Sequence, residues 1–370
     1  MSINEPSVTV TDVADTVQRG YGTAAVVAFI GAFNNATTTI ESYTSLEKAQ
    51  DELKGDAATV SAVPAGAKGY HCLPYLFNQN NQSYGPVEVI IVNTTTSTTN
   101  NEVTTLNYEL TNEKLASAYA LLADEAFDIL CFGDTITNAQ AANLKTFRDT
   151  QYAAQKPFGI IAAFSISNAN EAETFKGIFN TGGIYKAITT PIQIKGDANA
   201  LSLEKSAAWH AAFTAGRQVN KSETGKVYEE LIGVDSKSQY PTYWEDLLDN
   251  GLHTQKYRNR RLKIIECIRN WTPNGRDMKV ERTKNYMIKK LSFEDVFGED
   301  TVDITKSYVT GLFEYEKKLA KEAGLITDMT YDITYCSSKC VKANLELIIP
   351  DIVTQVKLNV SIELTPKGDE

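Results

Sequence analysis

Apolar and polar positions alternate most cleanly near the end of the chain. Val356, Leu358, Val360, Ile362 and Leu364 fall on one face of an extended run, with Lys357, Asn359, Ser361, Glu363 and Thr365 on the other. A shorter alternation, Val8 and Val10 against Ser7, Thr9 and Thr11, predicts a strand with one apolar edge near the start. Between them the pattern changes to continuous apolar runs separated by helical periodicity. Strands are predicted over 24–31, 87–92, 127–132 and 158–164. Helices are predicted over 45–53, with Ser45 as its cap, and over 113–125, 138–155 and 171–179. Apolar strands each followed by a helix define a layered α/β unit with a parallel sheet.

Other segments break this rhythm. The stretch 93–105, rich in Asn and Thr, reads as an exposed loop or hairpin tip. From Ser206 to Leu252 a small-residue helix suited to close packing on a sheet leads into a polar corner containing Asn220, Ser222 and Thr224, expected to be exposed. A strand and an acidic helix ending at Gly251 follow, and no catalytic group stands out. A long helix over 301–323, with Tyr308, Leu312, Tyr315 and Leu319 at helical spacing, stops at Gly324.

At 370 residues the chain exceeds the usual ceiling for one hydrophobic core, and two subdomains are expected. The net charge of −10 argues against nonspecific binding to nucleic acid or an anionic membrane. Five cysteines without a signal-peptide start read as reduced cytosolic thiols, and no apolar run approaches the roughly 20 residues that span a bilayer. The exception in charge lies between His253 and Lys290, where twelve Lys and Arg face three Asp and Glu. Interleaved Ile264, Ile265, Ile268 and Trp271 make this stretch part core, which fits docking on a protein surface better than a nucleic-acid tract.

Catalytic chemistry is hard to find. His210 sits in an Ala-rich helix and reads as packed or half-exposed, while His253 opens the basic stretch and reads as solvated. His71 and Cys72, taken as neighbours on extended chain, would point apart, and Cys336 and Cys340 lack further metal ligands nearby. Gly225 and Lys226 are not followed by Ser or Thr, and the turn after the first apolar strand, GAFNNATTT, lacks the glycine spacing of a dinucleotide site. A ligand-binding α/β enzyme and a non-contractile structural or surface protein stay open as alternatives.

The segments AAFTAGRQVNKSETGK, YEELIGV, YWEDLLDNGL, ECIRNWTP, VERTKNYMIKKL, YVTGLFEYEKKLAKEAGLI and VKLNVSIELTP follow one another in the second half of the chain, and VQRGYGTAAVVAFIGAF followed by SLEKAQDEL opens it. Their order resembles the conserved C-terminal half, and the opening strand and helix, of contractile tail sheath proteins of phages and phage-tail-like particles. The resemblance implies an outer layered α/β subdomain over 20–200 and a smaller α+β C-terminal core over 201–352. Extended β arms over 1–19 and 353–370 would flank them. It also implies stacked hexameric rings around an inner tail tube, ended by baseplate and tail terminator proteins, in a virion tail or phage-tail-like particle assembled in the bacterial host cytoplasm. No catalytic, cofactor or metal site, nucleic-acid partner or membrane insertion is implied. Val8, Val10, Val13, Val356, Leu358, Val360, Ile362 and Leu364 become the expected inter-subunit strands. The basic residues Lys256, Arg258, Arg260, Arg261, Lys263, Lys289 and Lys290 become candidates for the face toward the tube.

Overall fold

The computed structural model describes residues 26–36, 39–77, 85–100, 103–224, 227–234, 249–259, 264–269, 272–291, 306–337, 340–350 and 355–364. The fold is mixed α/β. Its first half runs β1 (Val26–Gly31), β2 (Ile40–Tyr43), α1 (Leu46–Leu53), α2 (Lys68–Leu76), β3 (Glu88–Asn93), β4 (Thr96–Asn100), β5 (Val103–Asn107), α3 (Asn112–Leu122), β6 (Ile129–Phe132), α4 (Asn138–Ala153), β7 (Gly159–Ala163), α5 (Ala169–Phe179) and β8 (Ile184–Ile188). Six of these strands form one sheet in the order β2-β3-β1-β6-β7-β8, parallel except for β2.

The predicted apolar runs become β1, β3, β6 and β7, and they are continuous because both faces of the sheet are covered. Ala28, Ile30, Leu130, Phe132, Ile160 and Ala162 face α3, α4 and α5 through Leu115, Leu122, Leu144, Phe175 and Phe179. Val27, Phe29, Ile129, Cys131 and Ile161 face the opposite layer, where Leu46, Ala49, Leu53, Tyr70 and Leu73 belong to α1 and α2. Local caps fix the helix starts. Ser45 accepts from the Lys48 amide, and Thr137 with Gln140 closes a reciprocal capping box on α4.

The second half continues with β9 (Ile192–Ile194), α6 (Leu203–Ala215), β10 (Val227–Tyr228), β11 (Leu231–Val234), β12 (Thr254–Asn259), β13 (Ile264–Arg269), α7 (Met278–Leu291), α8 (Lys306–Glu322), β14 (Asp328–Ser337), β15 (Cys340–Pro350) and β16 (Gln355–Leu364). Helix α6 is buried all round from Ser206 to Ala215. Its Ala207, Ala208, Ala211 and Ala215 join the layer under the large sheet. Trp209 and Phe213 point the other way, toward Ile192, Tyr228 and Leu231. Small side chains on one face and aromatic ones on the other let it serve two cores, as its composition suggests.

A further core joins α7 and α8 to the antiparallel sheet β14-β15-β16 through Val280, Met287, Leu291, Val309, Phe313, Met329, Leu345 and Leu347. Here the expected face of the long helix needs correcting. Val309, Phe313 and Ala320 are buried, whereas Tyr308 and Tyr315 are 48% and 59% exposed. The helix is rotated by about one residue from the sequence reading, because Phe313 stacks on Tyr331 of β14 at 5.2 Å and tyrosine, with its hydroxyl, tolerates water.

The stretch 93–105 is a hairpin, as one of its two readings had it. β4 and β5 pair antiparallel over five residue pairs without a bulge, and all of β4 is exposed. At the far end, β16 pairs with β15 along ten residue pairs, with Val356, Leu358, Val360, Ile362 and Leu364 opposite Ile349, Leu347, Leu345, Ala343 and Val341.

Candidate functional site

In a doubly wound sheet, ligands bind outside the carboxyl ends of the strands, where successive connections leave to opposite faces. That point lies here between β1 and β6, and it is filled. Gly31, Gly69 and Gly133 meet backbone to backbone. A Cβ on Gly133 would lie 2.6 Å from the Gly69 Cα, and one on Gly69 would lie 2.8 Å from the Ala32 carbonyl oxygen. Helix α2 thus starts inside the crevice, and Lys68 reaches across to Asp134 at 2.7 Å.

The polar groups at the neighbouring strand ends bond one another. The Thr94 hydroxyl donates to the Gly31 carbonyl at 3.1 Å. Thr95 Oγ1 accepts from the Phe33 amide at 2.9 Å and donates to the Phe33 carbonyl at 2.8 Å. Asn93 Nδ2 donates to the Asn35 carbonyl at 2.9 Å, Asn34 Nδ2 to the Lys54 carbonyl at 2.6 Å, and the Tyr108 hydroxyl to Asn34 Oδ1 at 2.9 Å. Phe33, Asn34 and Asn35 of the GAFNNATTT turn thus help close the end of the sheet.

His71 and Cys72 lie on α2, a helix where extended chain was expected. His71 Nε2 contacts the Pro64 carbonyl at 3.1 Å, and the Cys72 thiol is buried, which pushes its pKa well up. Among the described residues no group of three His, Cys, Asp or Glu could hold a metal, and no helix is long and apolar enough to cross a membrane.

The densest buried chemistry lies where α6, β8, β10 and β12 converge. Lys186 of β8 pairs with Glu223 at 2.6 Å, both side chains fully buried. The Tyr228 hydroxyl donates to the same carboxylate oxygen at 2.7 Å, and the Thr214 hydroxyl reaches the other at 3.3 Å. Burial alone would raise the Glu223 pKa. The charge and hydrogen bond of Lys186, with His253 and Tyr228, outweigh it and hold the carboxyl down at about 2.

His210 is fully buried, with Nδ1 at 3.5 Å from the Lys186 ammonium and Nε2 at 2.9 Å from the Gln255 amide. Burial first, then Lys186 and His253, drive its pKa well below the usual value, so the ring is neutral. A neutral ring has one N–H. With donors on both sides, the Lys186 ammonium at Nδ1 and the Gln255 side-chain nitrogen at Nε2, only one of the two contacts can be a hydrogen bond to the neutral ring.

His253, read from sequence as solvated, is 2% exposed. Its amide donates to the Ala187 carbonyl at 3.0 Å, and its ring lies 4.8 Å from that of His210. The basic neighbours suggested water, but the backbone bridge to β8 carries this residue inside.

The polar corner is also not the exposed feature expected. Asn220 Nδ2 donates to the carbonyls of Ala323 and Gly324 at 3.2 and 3.0 Å, tying the corner to the end of α8. The hydroxyls of Ser222 and Thr224 both donate to Asp277 Oδ2, at 2.8 and 3.0 Å, just before α7. From α7 the fully buried Arg282 donates to the carbonyls of Thr214, Arg217 and Gln218 at 2.9, 3.0 and 3.4 Å. These carbonyls lie at and just beyond the end of α6, where a cation sits favourably. Lys186, Glu223 and Arg282 were not singled out in the sequence. The only signal was a charged residue inside an otherwise apolar or small-residue context, as in IYKAI and SET.

Of the basic candidates, Lys256 and Arg258 fall on β12, and Lys289 and Lys290 in the last turn of α7. Lys289 is engaged within the chain, donating to the Phe127 carbonyl and pairing with Asp128 at 2.8 Å. Arg260, Arg261 and Lys263 lie outside the described residues, as do Val8, Val10 and Val13.

No family model matches the sequence, and no curated protein is found as a relative. Solved structures do match along nearly the whole chain. The fold is similar to that of the sheath tail protein Lin1278 from Listeria innocua, with a TM-score of 0.68 and 12% identity over 94% of this chain and 96% of that one. The sheath tail protein DSY3957 from Desulfitobacterium hafniense gives a TM-score of 0.65 and 10% identity over 96% and 100% of the two chains. The helical sheath of the anti-feeding prophage in its contracted state gives 0.56 and 11%, over 98% and 97%. At these identities the likeness is one of fold, and it extends from end to end of both partners.

Proposed function

We propose that the chain is the structural subunit of a contractile tail sheath, polymerising with itself as stacked rings around an inner tube and contracting to drive that tube through a cell envelope. The observation that carries this reading is the end-to-end likeness of fold to tail sheath proteins, one of them from a contracted helical sheath. The filled crevice between β1 and β6 supports it, because the place where such a sheet would hold a cofactor is occupied by the chain's own backbone. It weighs against the alternative of an α/β ligand-binding enzyme.

In this reading the α/β part over 20–200 forms the outer subdomain and 201–352 the core that builds the lattice, with baseplate and terminator proteins at its ends. Val8, Val10 and Val13 near the start, and Val356, Leu358, Val360, Ile362 and Leu364 on β16, link the copies. The ten-pair ladder between β15 and β16 can be made within one chain or between two with the same hydrogen bonds, so exchanging the strand alters connectivity without altering pairing. Lys256, Arg258, Arg260, Arg261, Lys263 and Lys290 remain candidates for the tube-facing surface, while Lys289 holds α7 to the outer part.

Negative-stain microscopy of the purified protein tests the reading. Hollow striated tubes are expected, and they should vanish on deletion of residues 1–15 or 356–370 while circular dichroism stays folded. A folded chain that never forms tubes, alone or with a tube protein, would refute it.

A further inference from the structure

The hairpin of β4 and β5 has no role in the reading above. A two-stranded ribbon standing alone in water is marginal, since it has no apolar face to bury. Yet β4 and β5 keep five pairs in unbroken register, with every residue of β4 exposed, as are Thr104, Thr105 and Asn107 of β5. Its base is anchored by Thr94 and Thr95 in the closed end of the large sheet and by Lys114 Nζ donating to the Asn107 carbonyl at 2.9 Å.

The composition is equally unusual for an exposed edge. Natural sheets guard open edges with Lys, Pro or bulges, and this ribbon has none of them among its described residues. It carries no charge over Thr96–Asn100 or Val103–Asn107, in a chain whose net charge of −10 sets copies against one another. Thr, the commonest residue in it, favours extended backbone. A strand-forming strip uncharged along both strands, with Glu102 of the connection the one charged residue over 96–107, is self-complementary in a way the rest of the acidic surface is not.

The geometry points to an interaction surface between copies: an open edge of this ribbon pairs with an open edge of the same ribbon in a neighbouring copy, adding strands through main-chain hydrogen bonds. The occupant is a second copy, because two chains of net charge −10 repel least where their facing strands carry no charge. The inference concerns self-association and goes beyond the sheath reading.

The test uses the full-length chain. Thr96→Lys combined with Thr98→Lys puts charges on exposed positions without touching a buried group, and Thr98→Val is the control that keeps strand preference. The Lys pair should raise the concentration needed for assembly about tenfold or more, since like charges placed opposite one another oppose pairing, and the Val variant should not. In hydrogen exchange, amides over 96–107 should slow about tenfold or more on going from monomer to assembly. Tubes whose ribbon amides exchange as freely as the monomer's would remove this inference and leave the sheath reading standing. Non-tubular oligomers with a protected ribbon would do the reverse. Protection that appears only on adding cell-wall polysaccharide would overturn it in favour of an adhesive ribbon.

Discussion

Replacing Lys186 with Met keeps the length of the side chain and deletes its charge, leaving Glu223 buried without its ion-pair partner and hydrogen-bonded by the hydroxyls of Tyr228 and Thr214. Removing one member of a buried ion pair costs about 3–5 kcal/mol, because the other charge stays desolvated. At roughly 2 °C per kcal/mol for a chain this long, the melting temperature should fall by about 6–10 °C at pH 7. The sign of the pH dependence is the sharper readout. In the native protein the Glu223 pKa is held at about 2, below its ordinary value of 4.5, so its contribution is complete above pH 4.5 and lost as pH falls toward 2.

In the variant, burial acts without the ammonium and pushes the folded pKa up from where Lys186 holds it. The variant is therefore penalised most at high pH and relieved as Glu223 takes up a proton. His210 acts in the same direction, since removing Lys186 takes away one of the causes that keep its ring neutral. The gap in stability between native and variant proteins should shrink steadily from pH 7 to pH 4. Thermal melts at half-unit pH steps measure it. A gap below about 1 kcal/mol at pH 7, or one independent of pH, would refute the buried-pair account.

Two further substitutions probe the frame. Gly69→Ala should destabilise by about 1–3 kcal/mol from overpacking against the Ala32 backbone, less up to about 1 kcal/mol gained in helix propensity, so a net loss in a denaturant titration is expected and a net gain would show that the crevice has slack. Arg282→Lys should recover only part of the stability lost in Arg282→Met, because one ammonium cannot reach three carbonyls along a planar fork. Equal stability of native and Lys forms by thermal melt would sink the cap assigned to it.

Where a local pattern decides an element, the sequence suffices. β1, β3, β6 and β7 are legible because both faces of each are buried, and α1 and α4 because their caps are local. Helix α2 escaped because Gly69 and Pro74 both lower helix propensity, and its reason for being helical is the fit of Gly69 into the crevice, a contact with residues far along the chain. The buried cluster around Lys186, Glu223 and Arg282 was illegible for the same cause. Lys186 and Glu223 are 37 residues apart and Arg282 meets carbonyls 64 to 68 residues away, so nothing periodic connects them. His253 was misplaced because its basic neighbours describe the strand it opens and not the backbone bridge that buries it.

The closed end of the large sheet has a mechanical consequence. A cleft that can gape and shut is a soft spring in series with everything attached to it, and work done on one side is partly absorbed in closing it. With the backbones of Gly31, Gly69 and Gly133 already touching and Lys68 strapped to Asp134, there is no gap left to compress. A push delivered to α2 or to the base of the ribbon passes to the sheet, and through α6 to the far cores, with little lost on the way. In the proposed sheath reading, that stiffness passes displacement on to neighbouring copies.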